Sequence, residues 1–289
     1  MQLKFKKNEG KNDIFFNKCE PIFKQLSYIF CFFVMDSIFY QNSAQLKHNE
    51  VVPYSDAEQD KKSQVTSMFD KIAPYYDFLN RLLTVGIDQR WRKKAIATLG
   101  NQHYSKILDI ATGTADLPVM MKKRLNVDEI VGLDISPKMI ELAKKKISEK
   151  GLSDTVSLEV GDSERLRFED NQFQAATASF GVRNFSDLQQ GLNEIYRVLD
   201  NRGKLMILEF SKPTIFPFKQ LFNMYFKFIL PAVGKLTSKD PKAYKYLYES
   251  VQAFPDYEDM ADIIRKSGFT NVKYTPLTLG ICTIYTGEK

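Results

Sequence analysis

Residues Lys106–Asp116 read KILDIATGTAD. The first part, Lys106–Ala111, is a short apolar run of the kind a fully buried parallel strand makes, because both of its faces are covered. The second part is a turn of small residues that leads into a helix, Leu117–Arg124. Strand, small-residue turn and helix in that order open a doubly wound α/β domain, whose ligands bind beyond the carboxyl ends of the strands.

The alternation continues toward the carboxyl end. Glu129–Ile135 reads as a second strand, and Pro137–Lys150 as a helix opened by Pro137 and closed by Gly151. Val156–Val160 and Phe173–Phe180 are the next strands, Leu188–Leu199 a helix and Lys204–Phe210 a fifth strand. After a helical insertion come a helix at Tyr257–Lys266 and two strands, Val272–Thr275 and Ile281–Thr286. Their short glycine-containing connection predicts an antiparallel pair at the sheet edge. The predicted fold class is therefore α/β, a mostly parallel sheet with an antiparallel edge.

Three short helices precede the sheet, Val65–Ile72, Tyr75–Leu83 and Arg90–Leu99, separated by Pro74 and Gly86. Gln41–Lys62 reads as a polar linker, and residues 1–62 as an extension outside a domain at 63–289. The extension is expected to be flexible chain ahead of a natural start near Met35, or a helix touching a surface or membrane. Its apolar run, Ile22–Met35, holds about ten uninterrupted apolar or weakly polar residues, where a spanning helix needs about twenty.

Composition excludes several chemistries. Three cysteines, Cys19, Cys31 and Cys282, are too few and too scattered for a disulfide framework or a thiolate zinc site. Two histidines, His48 and His103, leave little material for a metal cluster or a Ser–His–Asp triad, so no metal is expected. The net charge of +6 is mild and spread out, which does not call for a nucleic-acid partner but suits contact with an anionic membrane surface.

The charges around the glycine turn point to its ligand. Asp109 and Asp116 flank Gly113, and a pyrophosphate would meet a carboxylate where it needs bare N–H groups. A cation would be welcome there, and S-adenosylmethionine carries a sulfonium and an ammonium but no phosphate. Asp134 follows Gly113 by 21 positions, the spacing at which an acid accepts from both ribose hydroxyls. Ser136, not Asp134, is placed to cap the next helix. Gly161-Asp162-Ser163 ends the third strand and offers an acceptor to an adenine amino group. A nicotinamide-dependent oxidoreductase would explain the turn and Asp134 but not its acidity. A partner-binding module is the non-enzymatic alternative.

The chain resembles the class I S-adenosylmethionine-dependent methyltransferases, and within them the ubiquinone/menaquinone biosynthesis C-methyltransferase family. The resemblance runs from about Ser63 to Glu288. It is carried by Phe69-Asp70-Lys71-Ile72-Ala73 with Tyr76-Asp77, by Gly86-Ile87-Asp88 with Trp91-Arg92-Lys93, and by the glycine turn. Ser179-Phe180-Gly181-Val182-Arg183-Asn184, Tyr196-Arg197-Val198-Leu199 and Leu208-Glu209-Phe210-Ser211-Lys212-Pro213 add to it. Thr112 and Ala115 stand where the family usually shows further glycines.

The resemblance implies a Rossmann-like, seven-stranded fold with helices on both faces, N-terminal helices and a helical lid at 214–253. It implies that Thr114, Asp134, Asp162, Ser163 and Ser179 contact the cofactor while Gly113 shapes the turn. Family members methylate a ring carbon of a polyprenylated quinol, and demethylmenaquinol is the expected acceptor, with a ubiquinone precursor or another small aromatic or lipid acceptor as alternatives. Carbon attacks only when the ring is electron-rich, so a phenolate must be stabilised. Arg183 is expected to do this, with proton removal through a water held by Arg183 and Tyr76 or Asp77. The stripe Phe218, Leu221, Phe222, Tyr225, Phe226 and Ile229 has helical spacing. It is either core or, with Tyr244 and Tyr248, a greasy lid for the substrate's tail, Phe222, Tyr225, Phe226, Tyr244 and Tyr248 being the expected contacts. A cytoplasmic protein, peripherally attached to the inner face of the cytoplasmic membrane, follows as an expectation; a homodimer is a further one.

Overall fold

The computed structural model describes residues 47–55, 57–225 and 241–289. The run Ile22–Met35, Phe226 and the lid stretch 226–240 lie outside the described residues.

Three helices lead into the sheet: α1 (Lys61–Ile72), α2 (Tyr76–Leu83) and α3 (Asp88–Ala97). The core alternates β1 (His103–Ile110), α4 (Asp116–Lys122), β2 (Asn126–Asp134), α5 (Pro137–Glu149), β3 (Val156–Val160), β4 (Phe173–Ser179), α6 (Leu188–Val198) and β5 (Leu199–Phe210). Then come α7 (Phe218–Met224), α8 (Pro241–Ala253), α9 (Glu258–Lys266), β6 (Thr270–Leu277) and β7 (Cys282–Glu288). The strands form one seven-stranded sheet in the order β3-β2-β1-β4-β5-β7-β6. β7 runs antiparallel to β5 and β6, and the other pairs are parallel. Strand order reverses between β1 and β4, which opens a crevice at their carboxyl ends.

β1 is buried on both faces, as its unbroken apolar pattern requires. Ile107 packs on one side with residues of α3, α4 and α5, and Leu108 and Ile110 pack on the other with residues of α6 and α9. Ser136 caps α5 by accepting from the Met139 N–H at 3.1 Å, and Asp187 caps α6 by accepting from Gln190 at 2.9 Å.

The structure differs from the sequence reading at the amino end. Residues 47–55 and 57–62 belong to the same compact unit as the sheet instead of running as a linker. Val51 joins an apolar cluster with Val65 and Met68 of α1 and with Ala243 and Tyr246 of α8, and Asp60 caps α1. The polar composition of this stretch comes from its cap and its solvent face, and one buried valine anchors it. β1 and β2 also start three residues earlier than read, because their first residues, His103-Tyr104-Ser105 and Asn126-Val127-Asp128, alternate exposed polar with buried side chains and fall outside the unbroken apolar run.

The glycine turn works without the family's extra glycines by placing Ala111 and Ala115 in the left-handed region, with φ of 51° and 64°. The cost is kept down by their small side chains. Gly181 is required for a different reason. A Cβ on Gly181 would collide with the Ala111 Cβ, so the β1 turn and the loop after β4 lie backbone against backbone. Gly181→Ala should therefore cost about 1–3 kcal/mol through overpacking and lower the thermal midpoint, with no rescue by cofactor alone.

Candidate active site

Two recesses meet in the crevice. The smaller, about 60 Å³, is walled by Gly113, Asp134, Ile135, Met139, Asp162 and Ser163 from the sheet side and by Lys62, Val65 and Phe69 of α1. Asp134 ends β2 and is buried; its two oxygens accept from the Gly113 N–H at 2.8 Å and the Ser136 N–H at 2.9 Å. Beneath the turn, the buried Asp109 accepts from the hydroxyls of Thr112 and Thr177, each at 2.6 Å. Burial pushes Asp134 up to about 6 and Asp109 up to about 7, against the hydrogen bonds that favour their charged forms. No ion pair among the described residues holds Asp134, which lines the recess, and this fits a positively charged donor.

The larger recess is a chamber of about 350 Å³. Its wall is mostly apolar: Met68, Phe69 and Ile72 from α1, Trp91 from α3, Phe180 and Phe210 from the strand ends, and Phe218, Leu221, Phe222 and Leu247 from α7 and α8. Phe69, Tyr76, Phe180 and Asn184 line both recesses and form the partition between them.

Arg183 sits in a short 3-10 turn, Val182–Asn184, after β4. It is buried, and its Nη1 donates to Glu209 Oε1 at 2.7 Å and to the Phe180 carbonyl. Its own N–H also reaches Glu209 at 3.3 Å. The Arg183 carbonyl accepts from His48 Nε2 at 2.8 Å, and burial pushes that imidazole down to about 4, so it is neutral and donates. Tyr76 reaches the partition from α2; burial raises its phenol, opposed by a hydrogen bond with Asn80 and by Arg183 and Arg92.

A family model described as the ubiE/COQ5 methyltransferase family matches residues 57–289. The chain belongs to the ubiE/COQ5 methyltransferase family. This methyltransferase is 45% identical over 240 residues to the demethylmenaquinone methyltransferase of Bacteroides fragilis, covering 83% of this chain and 98% of that one. It is 44% identical to the protein of the same name from Deinococcus radiodurans, covering 80% and 95%. Against the ubiquinone/menaquinone biosynthesis C-methyltransferase UbiE of a Geobacter species it is 42% identical, covering 80% and 98%. Among solved structures, a SAM-dependent methyltransferase from Thermotoga maritima shares the fold with a TM-score of 0.56 at 18% identity, covering 78% and 99%. Phosphoethanolamine N-methyltransferase 2 of Haemonchus contortus, in complex with S-adenosyl-L-methionine, shares it with a TM-score of 0.53 at 14% identity, covering 69% and 52%. The expected class I fold and donor, S-adenosylmethionine, accord with that family.

The methyltransferase brings together most of the expected donor residues. Gly113, Asp134, Asp162 and Ser163 line the smaller recess. Thr114 and Ser179 do not line it. The Thr114 hydroxyl instead donates to Asp77 at 2.5 Å and accepts from Lys146 at 3.0 Å. Asp77, expected near the proton transfer, faces this cluster, held by Lys146 at 2.6 Å, and lines neither recess. It pins α2 to the glycine turn. Asp116 belongs to the same cluster. Burial alone would raise it, but Lys146 at 2.8 Å and Arg81 at 3.1 Å hold its carboxyl below the usual range. Its charge is therefore spent on lysine and arginine, and the preference for a cationic donor rests on Asp109 and Asp134. Asp162 is engaged too, with Lys62 at 2.6 Å across the recess.

On the acceptor side Phe222, Tyr225 and Tyr244 line the chamber, whereas Tyr248 packs beside it in a cluster with Phe222, Tyr244 and Val251. Tyr246 takes the place expected of Tyr248, and its hydroxyl donates to Asn184 Oδ1 at 3.2 Å. Sequence spacing missed Tyr246, Lys62 and Lys146, whose partners are far away in the chain. Trp91, Arg92 and Asp88 stood in a family word, yet nothing in their spacing assigned them to the chamber.

Asp134 and Asp109 keep their protons to about 6 and about 7, against 3.8 in the open chain. Their contribution to stability is intact below about 3.8 and falls as pH rises toward 7. A bound cation draws both to the charged form. Titration calorimetry with S-adenosylmethionine near pH 6, in buffers of different ionisation heat, should show proton release and an affinity that climbs toward pH 8. Binding without proton release would mean that neither carboxyl feels the cation.

Proposed function

We propose that this methyltransferase transfers a methyl group to a ring carbon of a polyprenylated quinol, demethylmenaquinol, to give menaquinol. The observation that carries the reading is the buried guanidinium of Arg183 in an apolar chamber of about 350 Å³ that meets the donor recess at a partition of four shared side chains. The relatives at 44% and 45% identity carry the corresponding name.

S-adenosylmethionine supplies a methyl group on a sulfonium. The chain's own residues do the rest. The chamber excludes water, which strengthens every charge interaction inside it. Arg183, immobilised by Glu209, offers positive charge to a ring hydroxyl as it loses its proton, and so raises electron density at the neighbouring carbon. Its guanidinium stays protonated, so it stabilises the phenolate and does not remove the proton. The flat walls of Phe69, Phe180 and Tyr76 orient the ring toward the partition.

The tail leaves by the apolar mouth. Phe218 and Leu221 line the chamber and are also exposed, and Ile215, Phe216 and Met224 extend the exposed apolar surface around them. Leu279 stands exposed beside Thr278, another chamber residue. No helix among the described residues is long and apolar enough to cross a membrane. This rim is suited to rest in the interface of the bilayer that holds the quinol, at the inner face of the cytoplasmic membrane.

Labelled-methyl transfer to reduced demethylmenaquinol tests the activity directly. Arg183→Ala should keep its donor affinity and lose about 10²–10³-fold in kcat, the scale of one oxyanion donor. Near-normal turnover would remove Arg183 from the chemistry. Replacing the exposed Ile215 and Met224 by serine should leave the thermal midpoint unchanged and reduce both vesicle binding and turnover of long-tailed quinols. Equal losses with a tailless quinol would show that the rim does not handle the tail.

A further inference from the structure

Arg92 takes no part in holding the phenolate at Arg183, yet it is built into the same chamber. It projects from α3 and is buried together with Asp88 one helical turn earlier, to which its Nη1 donates. Asp88 also accepts from the Thr84 hydroxyl at 3.0 Å. A buried ion pair in an apolar wall gains little stability over a leucine or methionine there, so its presence calls for another reason.

The two guanidiniums are matched. Each has one buried carboxylate partner, Asp88 for Arg92 and Glu209 for Arg183. Each also keeps a buried Nε–H with no acceptor among the described residues. Arg92 lies over the ring of Phe180, 5.2 Å from its centroid, and Arg183 over the ring of Phe210 at 5.5 Å. Those two rings pack together at 4.7 Å, tilted by 35°. The chamber wall thus carries two guanidiniums, one on each member of a ring pair. Buried donors without acceptors are rare, and here both belong to residues that line the chamber.

We propose that Arg92 is a second oxygen clamp, so that the acceptor ring is held by both of its ring oxygens, one at Arg183 and the other at Arg92. Both guanidiniums are already balanced by carboxylates, so what they offer the chamber suits a neutral or weakly charged hydroxyl oxygen better than a free carboxylate. Arg92 would then select acceptors with oxygens at both ends of the ring and fix which carbon faces the partition. The proposal rests on the quinol reading and adds a specificity residue to it.

Trp91 is the only tryptophan in the chain, and it lines the chamber next to Arg92. Its fluorescence reports ring binding without turnover. Titration with a short-tailed 1,4-naphthohydroquinone and with the matching 1-naphthol, under anaerobic conditions, should show the diol bound about tenfold or more tightly, the scale of one hydrogen bond to a charged group. In Arg92→Lys, and in the charge-balanced Asp88→Asn/Arg92→Gln double variant, that ratio should fall toward one, and the loss in turnover of the diol should appear in KM. A wild-type ratio near one overturns the proposal whether or not the variants fold, and so does a ratio that survives in both variants. If neither ring compound alters Trp91 emission, the quinol reading itself fails, an outcome distinct from binding without preference.

Discussion

The site depends on the buried carboxylate of Glu209. It accepts from the Arg183 guanidinium, from the Arg183 backbone N–H and from the Phe210 N–H at 2.9 Å. These contacts join the end of β5 to the loop after β4, so the loop that carries Phe180, Gly181, Arg183 and Asn184 has one conformation. An ionised carboxylate with no exposed surface is costly to bury, and only this set of donors makes it tolerable. Catalytic geometry and local stability are therefore the same interaction. Weakening it would free the guanidinium and the short turn that carries it.

The two recesses solve opposite electrostatic problems. The donor side is rich in carboxyls held partly protonated by burial, ready to ionise when a cation arrives. The acceptor side is dry and aromatic, and its two guanidiniums are neutralised one by one. Phe69, Tyr76, Phe180 and Asn184 line both recesses, so these two environments adjoin at four shared side chains.

The fold was legible because its signals are local. An apolar run, a small-residue turn and a capped helix identify β1, α4 and the α5 start without any distant partner, and Ser136 caps α5 as its place before Pro137 implies. The ends of β2 and β3, with Asp134, Asp162 and Ser163, followed from the same pattern. What escaped depends on long-range pairing. Asp77 and Asp116 look like free acids beside the turn until Lys146 from α5 reaches both. Likewise, spacing along α8 cannot show that Tyr246 enters the chamber while Tyr248 packs beside it, because that choice is made by α1 and α7 lying against it. Polar composition hid the packed segment 47–62, whose attachment comes from Val51 and His48.

α1 turns one flank to each recess: Lys62, Val65 and Phe69 to the donor, Met68, Phe69 and Ile72 to the acceptor. It behaves as a single door leaf hung between two rooms. Its outer latch, Lys62 on Asp162, is a partly exposed ion pair and hence a light one. Any displacement of the leaf would bare both rooms at once, because the same helix walls them both.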